Sequence, residues 1–191
     1  MNELVQIHGR DVTVARLDNA AYYMLMEANA LPNQGRTELI EGVLVEMSPS
    51  NNPHGNVLSK LNAKLLSMTP PTTTSSIDVA INFEEGLVLA PDMIFYSNAF
   101  AAKEIPVHAI ELIVEISVTS LRHDLEIKSS LFSSHVIPHY WVIDVDGRKS
   151  HVHANPSPDG YQDILACDWD QSLTPPFAPE RSINLSEILG T

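Results

Sequence analysis

The sequence predicts a single mixed α/β domain: a central sheet flanked by helices, with extra β-hairpins. Three observations lead there. Helical and extended patterns are interleaved along the chain, in the order helix, hairpin, helix, three strands, helix, strand, hairpin. That order lacks the strict strand–helix alternation of a doubly wound parallel sheet. The 191 residues are 44% hydrophobic and 18% charged, enough to bury one sizeable core without disulfides or structural metals.

Residues 12–30 read as the first helix. Asp11 or Thr13 can cap its start, and Ala20, Met24 and Ala28 mark one face with Leu17 nearby. Pro32, Asn33 and Gly35 break the chain. Residues 37–47 carry the extended pattern of two short strands around a tight Glu41-Gly42 turn. Residues 48–53 form a loop. Val57, Leu58, Leu61, Leu65 and Leu66 recur at helical spacing over 54–68, and Pro70-Pro71 ends that helix. Residues 72–76 read as a polar connector.

Strands are expected at 77–83, at 87–90 leading into 92–96, at 109–117 and at 140–144. A helix over about 124–134 separates the last two. Its Asp124 and Lys128 stand four apart in the favourable order of a surface ion pair. Asp146-Gly147 turns the chain into a strand over 149–154, and 156–160 turns it again into 161–167. The proline-rich remainder reads as an extension of loop, with a helical turn at 186–189.

Composition limits the function. No apolar run approaches the eighteen or so residues of a membrane span. The first ten residues lack a basic start followed by an apolar stretch, so no signal peptide is expected. The lone Cys167 excludes an intrachain disulfide and a cysteine-rich zinc site, and points to a reducing cytoplasm. A net charge of −13 argues against holding nucleic acid by bulk attraction, so such a role needs a local cationic patch.

Three acidic residues stand in apolar surroundings. Glu115 lies among Leu112, Ile113, Val114 and Ile116; Asp92 follows Pro91 and precedes Met93-Ile94-Phe95; Glu38 precedes Leu39-Ile40. A carboxylate inside a buried strand is costly unless paired or bound to a cation. Two such groups on adjacent strands make the oxygen-rich site that Mg²⁺ or Mn²⁺ takes. Each also has a plainer reading: Asp92 as a strand-start residue, Glu115 on the solvent face of a half-buried strand, Glu38 at the surface. His151 and His153 share a strand face without a third ligand, Cys167 has no adjacent base, and no Gly-rich phosphate loop is present.

Six segments in order carry a resemblance: Thr37 to Pro49, Pro53-His54-Gly55, Pro91-Asp92, Ile113 to Ser117, Ser120 to Lys128, and Val136 to Asp144. Over about residues 15–165 the chain resembles the Uma2 family of restriction-endonuclease-like proteins, in the PD-(D/E)XK nuclease superfamily. The resemblance implies a restriction-endonuclease-like core and a Mg²⁺- or Mn²⁺-dependent endonuclease acting on nucleic acid, DNA first. It implies that Asp92 and Glu115 bind the metal with the carbonyl of Ile116, and that Glu38 stands nearby. The superfamily's lysine two residues after the second acid is here Ser117; the family pattern places a lysine on the following helix, at Lys128. His54 would touch phosphate or act as a second base, its plainer reading being an ordinary residue at a helix start; Arg122 would contact phosphate, and Asp124 would support Lys128. The resemblance also accommodates a homodimer. Two rival readings stay open: a non-catalytic binding or scaffold protein on the same fold, and a metal-dependent hydrolase of small phosphate esters.

Overall fold

The computed structural model describes residues 3–31, 37–47, 51–102 and 104–190. The breaks expected at 32–35 and the loop residues 48–50 lie outside the described residues. The chain divides into two compact units, residues 1–49 with 80–90, and residues 50–79 with 91–191.

The smaller unit is built from hairpins. Strands β1 (Glu3–Ile7) and β2 (Arg10–Val14) pair antiparallel around His8-Gly9. The first helix, α1, therefore runs over Asn19–Glu27 and not from residue 12. The consecutive β-branched residues Val12, Thr13 and Val14 favour a strand, and His8 and Gly9 both take the positive φ of a two-residue hairpin turn. The cap is Asp18, whose carboxylate accepts from the amide of Ala21 at 2.7 Å. β3 (Thr37–Ile40) and β4 (Val43–Glu46) form the expected hairpin, with Glu41 and Gly42 again at positive φ. β6 (Ile81–Glu84) and β7 (Leu87–Leu89) complete a sheet of order β4-β3-β7-β6. Tyr22, Leu31, Leu39 and Val88 fill its core.

The larger unit holds a six-stranded mixed sheet of order β12-β11-β10-β9-β8-β5. Its strands are β5 (Thr73–Ile77), β8 (Met93–Ser97), β9 (Ile110–Ser117), β10 (His139–Asp144), β11 (Lys149–Ser157) and β12 (Gly160–Asp168). Only β9 and β10 pair parallel; the other neighbours are antiparallel. The segment read as a polar connector is strand β5. An edge strand tolerates a polar Thr-Thr-Ser-Ser sequence because only part of it is buried.

The parallel pair needs a crossover, and the chain supplies it as a π-helical turn over His123–Lys128 running into α3 (Ser129–Ser134). The sequence pattern predicts regular α-helix here; the wider turn is a correction. On the other side α2 (Asn52–Leu66) lies against β9 and β5. Its apolar stripe, Val57, Leu58, Leu61 and Leu65, meets Met93, Phe95, Leu112, Val114, Ile116, Trp141 and Ile143. Full burial of each such side chain contributes about 1.5–3 kcal/mol. The residues after 168 are not loose: Trp169, Leu173, Leu185 and Leu189 join the same core, the last two from α4 (Leu185–Leu189).

Candidate active site

Strand register brings the two acids together. β8 and β9 pair antiparallel with Met93 opposite Val114, and one step further along that register stand Asp92 and Glu115. Side chains alternate across a strand. Since Leu112, Val114 and Ile116 face α2, Glu115 points to the opposite face, towards the crossover. β9 is flanked by β8 and β10 in the middle of the sheet, so Glu115 is only 4% exposed and Asp92 6%. The solvent-face reading of Glu115 is thereby excluded.

Both carboxylates are held by hydrogen bonds. The amide of Ile116 donates to Asp92 Oδ2 at 2.7 Å, and the amide of Asp92 donates to Glu115 Oε2 at 3.3 Å. Lys128 Nζ donates to Glu115 Oε1 at 2.8 Å, with both side chains buried. The Asp124–Lys128 surface pair is therefore corrected: both residues are 2% exposed. Ile116 enters this network through its amide.

The π-turn is itself anchored. Ser120 Oγ donates to Asp124 Oδ2 at 2.6 Å, Ser117 and Ser120 hydroxyls lie 3.2 Å apart, and the Tyr140 hydroxyl donates to the carbonyl of Asp124 at 3.1 Å. A π-turn leaves backbone carbonyls displaced from the regular ladder, and Tyr140 takes up one of them.

His54 is the fourth member. The Asn51 side chain caps α2 by accepting from the His54 amide at 3.1 Å. The ring Nε2 then lies 3.0 Å from Asp92 Oδ2, while Nδ1 is buried with no hydrogen-bond partner among the described residues. Burial pushes the Asp92 carboxyl up. The His54 hydrogen bond and charge, the Ile116 amide and the Lys128 charge outweigh that and hold it below its ordinary value. For Asp124 burial wins over Lys128 and the serine hydroxyls, and its carboxyl is raised.

The other candidates fall elsewhere. Glu38 belongs to the smaller unit, where its carboxyl is 1% exposed and accepts from the amide of Ala90 at 3.0 Å; it is not a surface residue. Arg122 is 88% exposed and pairs with Glu126 at 3.0 Å, an ordinary i,i+4 surface pair. His153 Nδ1 lies 3.2 Å from the carbonyl of Tyr140, and its ring packs between Tyr140 and Tyr161. Burial pushes the Cys167 thiol up, away from nucleophilic use. The sequence does not single out Tyr140 as a site residue or link His54 to Asp92, because both contacts join elements distant in the chain.

A mixed sheet with a parallel crossover and two acids at adjacent strands defines a nuclease-like fold. A solved structure described as a putative nuclease belonging to DUF820 from Anabaena variabilis shares this fold at a TM-score of 0.66. It is 18% identical, and the match covers 81% of this chain and 89% of that one. The family model for Uma2, described as putative restriction endonuclease, matches residues 10–186. The chain belongs to the Uma2 family. No curated protein matches it. Among the described residues, no helix is long and apolar enough to cross a membrane.

Proposed function

We propose that this protein is a divalent-metal-dependent endonuclease that hydrolyses phosphodiester bonds of nucleic acid, DNA first. The observation that carries the reading is the convergence of Asp92, Glu115 and Lys128 from two strands and the crossover turn. Two buried carboxylates are hard oxygen donors, the type of ligand that Mg²⁺ and Mn²⁺ take alongside water and phosphate oxygens. Among the described residues no group of three His, Cys, Asp or Glu side chains could hold a metal alone. The donor set therefore fits a cation shared with substrate and bound weakly without it.

Asp92 and Glu115 would hold the cation. When bound, it supplies charge that polarises a phosphodiester and lowers the pKa of water. The Ile116 amide and His54 ring fix the orientation of the Asp92 carboxylate. Lys128 places a fixed positive charge beside Glu115, able to orient a water or to stabilise charge growing on phosphate. Asp124, Ser120 and Tyr140 hold the turn that delivers Lys128. Glu38 anchors Ala90, two residues ahead of Asp92 in the chain. Arg122 stays outside the chemistry.

The test is cleavage of plasmid DNA, single-stranded DNA and RNA in Mg²⁺ and in Mn²⁺, with wild type, Asp92→Asn, Glu115→Gln and Lys128→Met. Metal-dependent cleavage abolished by EDTA and by each substitution supports the reading. No cleavage of any substrate, or cleavage retained in the variants, overturns it. The net charge of −13 and Ser117 after Glu115 favour, as a second reading, a binding protein on the nuclease fold. Saturable nucleic-acid binding without turnover in either metal is its signature.

A further inference from the structure

The start of α2, the turn after β10 and the C-terminal residues Trp169 and Leu189 line a pocket of about 240 Å³. It is smaller than the roughly 300–1,000 Å³ of sites that take drug-sized ligands, and so suits one ring-sized group. Pro53, Val57, Val145 and Leu189 give it apolar walls, and Asn56, Arg148 and Trp169 complete its lining. The pocket shares elements with the catalytic pair. Pro53 immediately precedes His54, and the amide of Val145 donates to the carbonyl of Ser117, two residues past Glu115, at 2.9 Å.

Arg148 is held deliberately. It sits in the left-handed region at φ 53, a conformation that costs a non-glycine residue. Its carbonyl accepts from the Trp169 amide at 3.2 Å, and its guanidinium lies 5.7 Å from the centroid of the Trp169 ring. Among the described residues no carboxylate pairs with it, in a chain with 24 acidic side chains against 11 basic ones. The Trp169 Nε1–H is buried with no hydrogen-bond partner among the described residues, which is rare enough to need a reason.

We infer that this pocket receives a nucleobase of the substrate strand. The inference rests on the nuclease reading above. A bare phosphate would call for several converging donors, whereas these walls are mostly apolar. A base satisfies both features: its faces are apolar and stack on aromatic or guanidinium planes, and its edge carries acceptors for Arg148 and Asn56.

The test follows the two indole N–H resonances, from Trp141 and Trp169, in the full-length protein labelled with ¹⁵N. Trp169→Phe assigns them. Thymidine 5′-monophosphate and 2-deoxyribose 5-phosphate are titrated in parallel to millimolar concentration. A saturable shift of the Trp169 resonance with the nucleotide, at least about tenfold weaker with the sugar phosphate, supports the pocket. Arg148→Gln, at an exposed position, should remove the preference, and Asp92→Asn should keep it. Equal response to both probes, no response to either, or an unchanged preference in Arg148→Gln overturns the pocket. Cleavage assays on the same samples separate the two claims. Cleavage without base preference sinks the pocket alone, and base preference without cleavage sinks the nuclease reading alone.

Discussion

The ammonium of Lys128 sits 2.8 Å from the Glu115 carboxylate, and the two side chains are 2% and 5% exposed. One comes from the middle strand of the sheet and the other from a π-turn in the crossover that follows it. Removing either partner takes the nearest opposite charge away from a buried one. Lys128→Met is expected to cost about 3–5 kcal/mol in urea unfolding. Glu115→Gln with Lys128→Met together should cost clearly less than Lys128→Met alone. A loss in the double variant equal to the sum of the two single losses would mean that the pair is not coupled.

Acid sensitivity should begin near neutrality. Burial lowers His139, His151 and His153 below the ordinary 6.5, and for His153 the Tyr140 carbonyl only partly offsets it. The unfolded chain then binds protons that the fold refuses. Their contribution is complete above about pH 6.5 and is lost as pH falls from there through the lower folded values. His153→Phe, which keeps an aromatic ring between Tyr140 and Tyr161, should flatten the fall of urea midpoint between about pH 7 and about pH 5. An unchanged slope would remove His153 from this account.

Two of the hairpin turns of the smaller unit allow a matched comparison. Gly9 and Gly42 both sit at φ +74, but a Cβ on Gly9 meets nothing within 4 Å. One on Gly42 would lie 2.6 Å from Arg16 Cβ and 2.9 Å from the carbonyl of Leu17. Gly9→Ala should cost about 1 kcal/mol from backbone strain alone, and Gly42→Ala about 1–3 kcal/mol more. Equal losses by thermal unfolding would contradict the close approach.

Much of this arrangement is legible in the sequence where the signal is local. The Glu41-Gly42 turn, the apolar stripe of α2 and the unbroken apolar run around Glu115 each specify their element. Pro91-Asp92 and the run 113–117 single out the acids before any register is known. Three features escape for physical reasons. Asp11 and Thr13 are good helix caps, yet the positive-φ turn at His8-Gly9 commits them to a hairpin. Thr73 to Ser76 lack apolar residues because an edge strand does not need them. The π-turn has no sequence period of its own, so Asp124 and Lys128 read as an exposed pair although both are buried. The His54–Asp92 contact and the Arg148–Trp169 stack are tertiary, and no local pattern encodes them.

The central claim is that Asp92 and Glu115 form one cation site. It is tested most directly by Mn²⁺ titration calorimetry, carried to millimolar metal, on wild type, Asp92→Ala and Glu115→Ala. Circular dichroism establishes that each variant is folded. The account predicts saturable binding in wild type and its loss in both folded variants. Identical heats in all three proteins would contradict it.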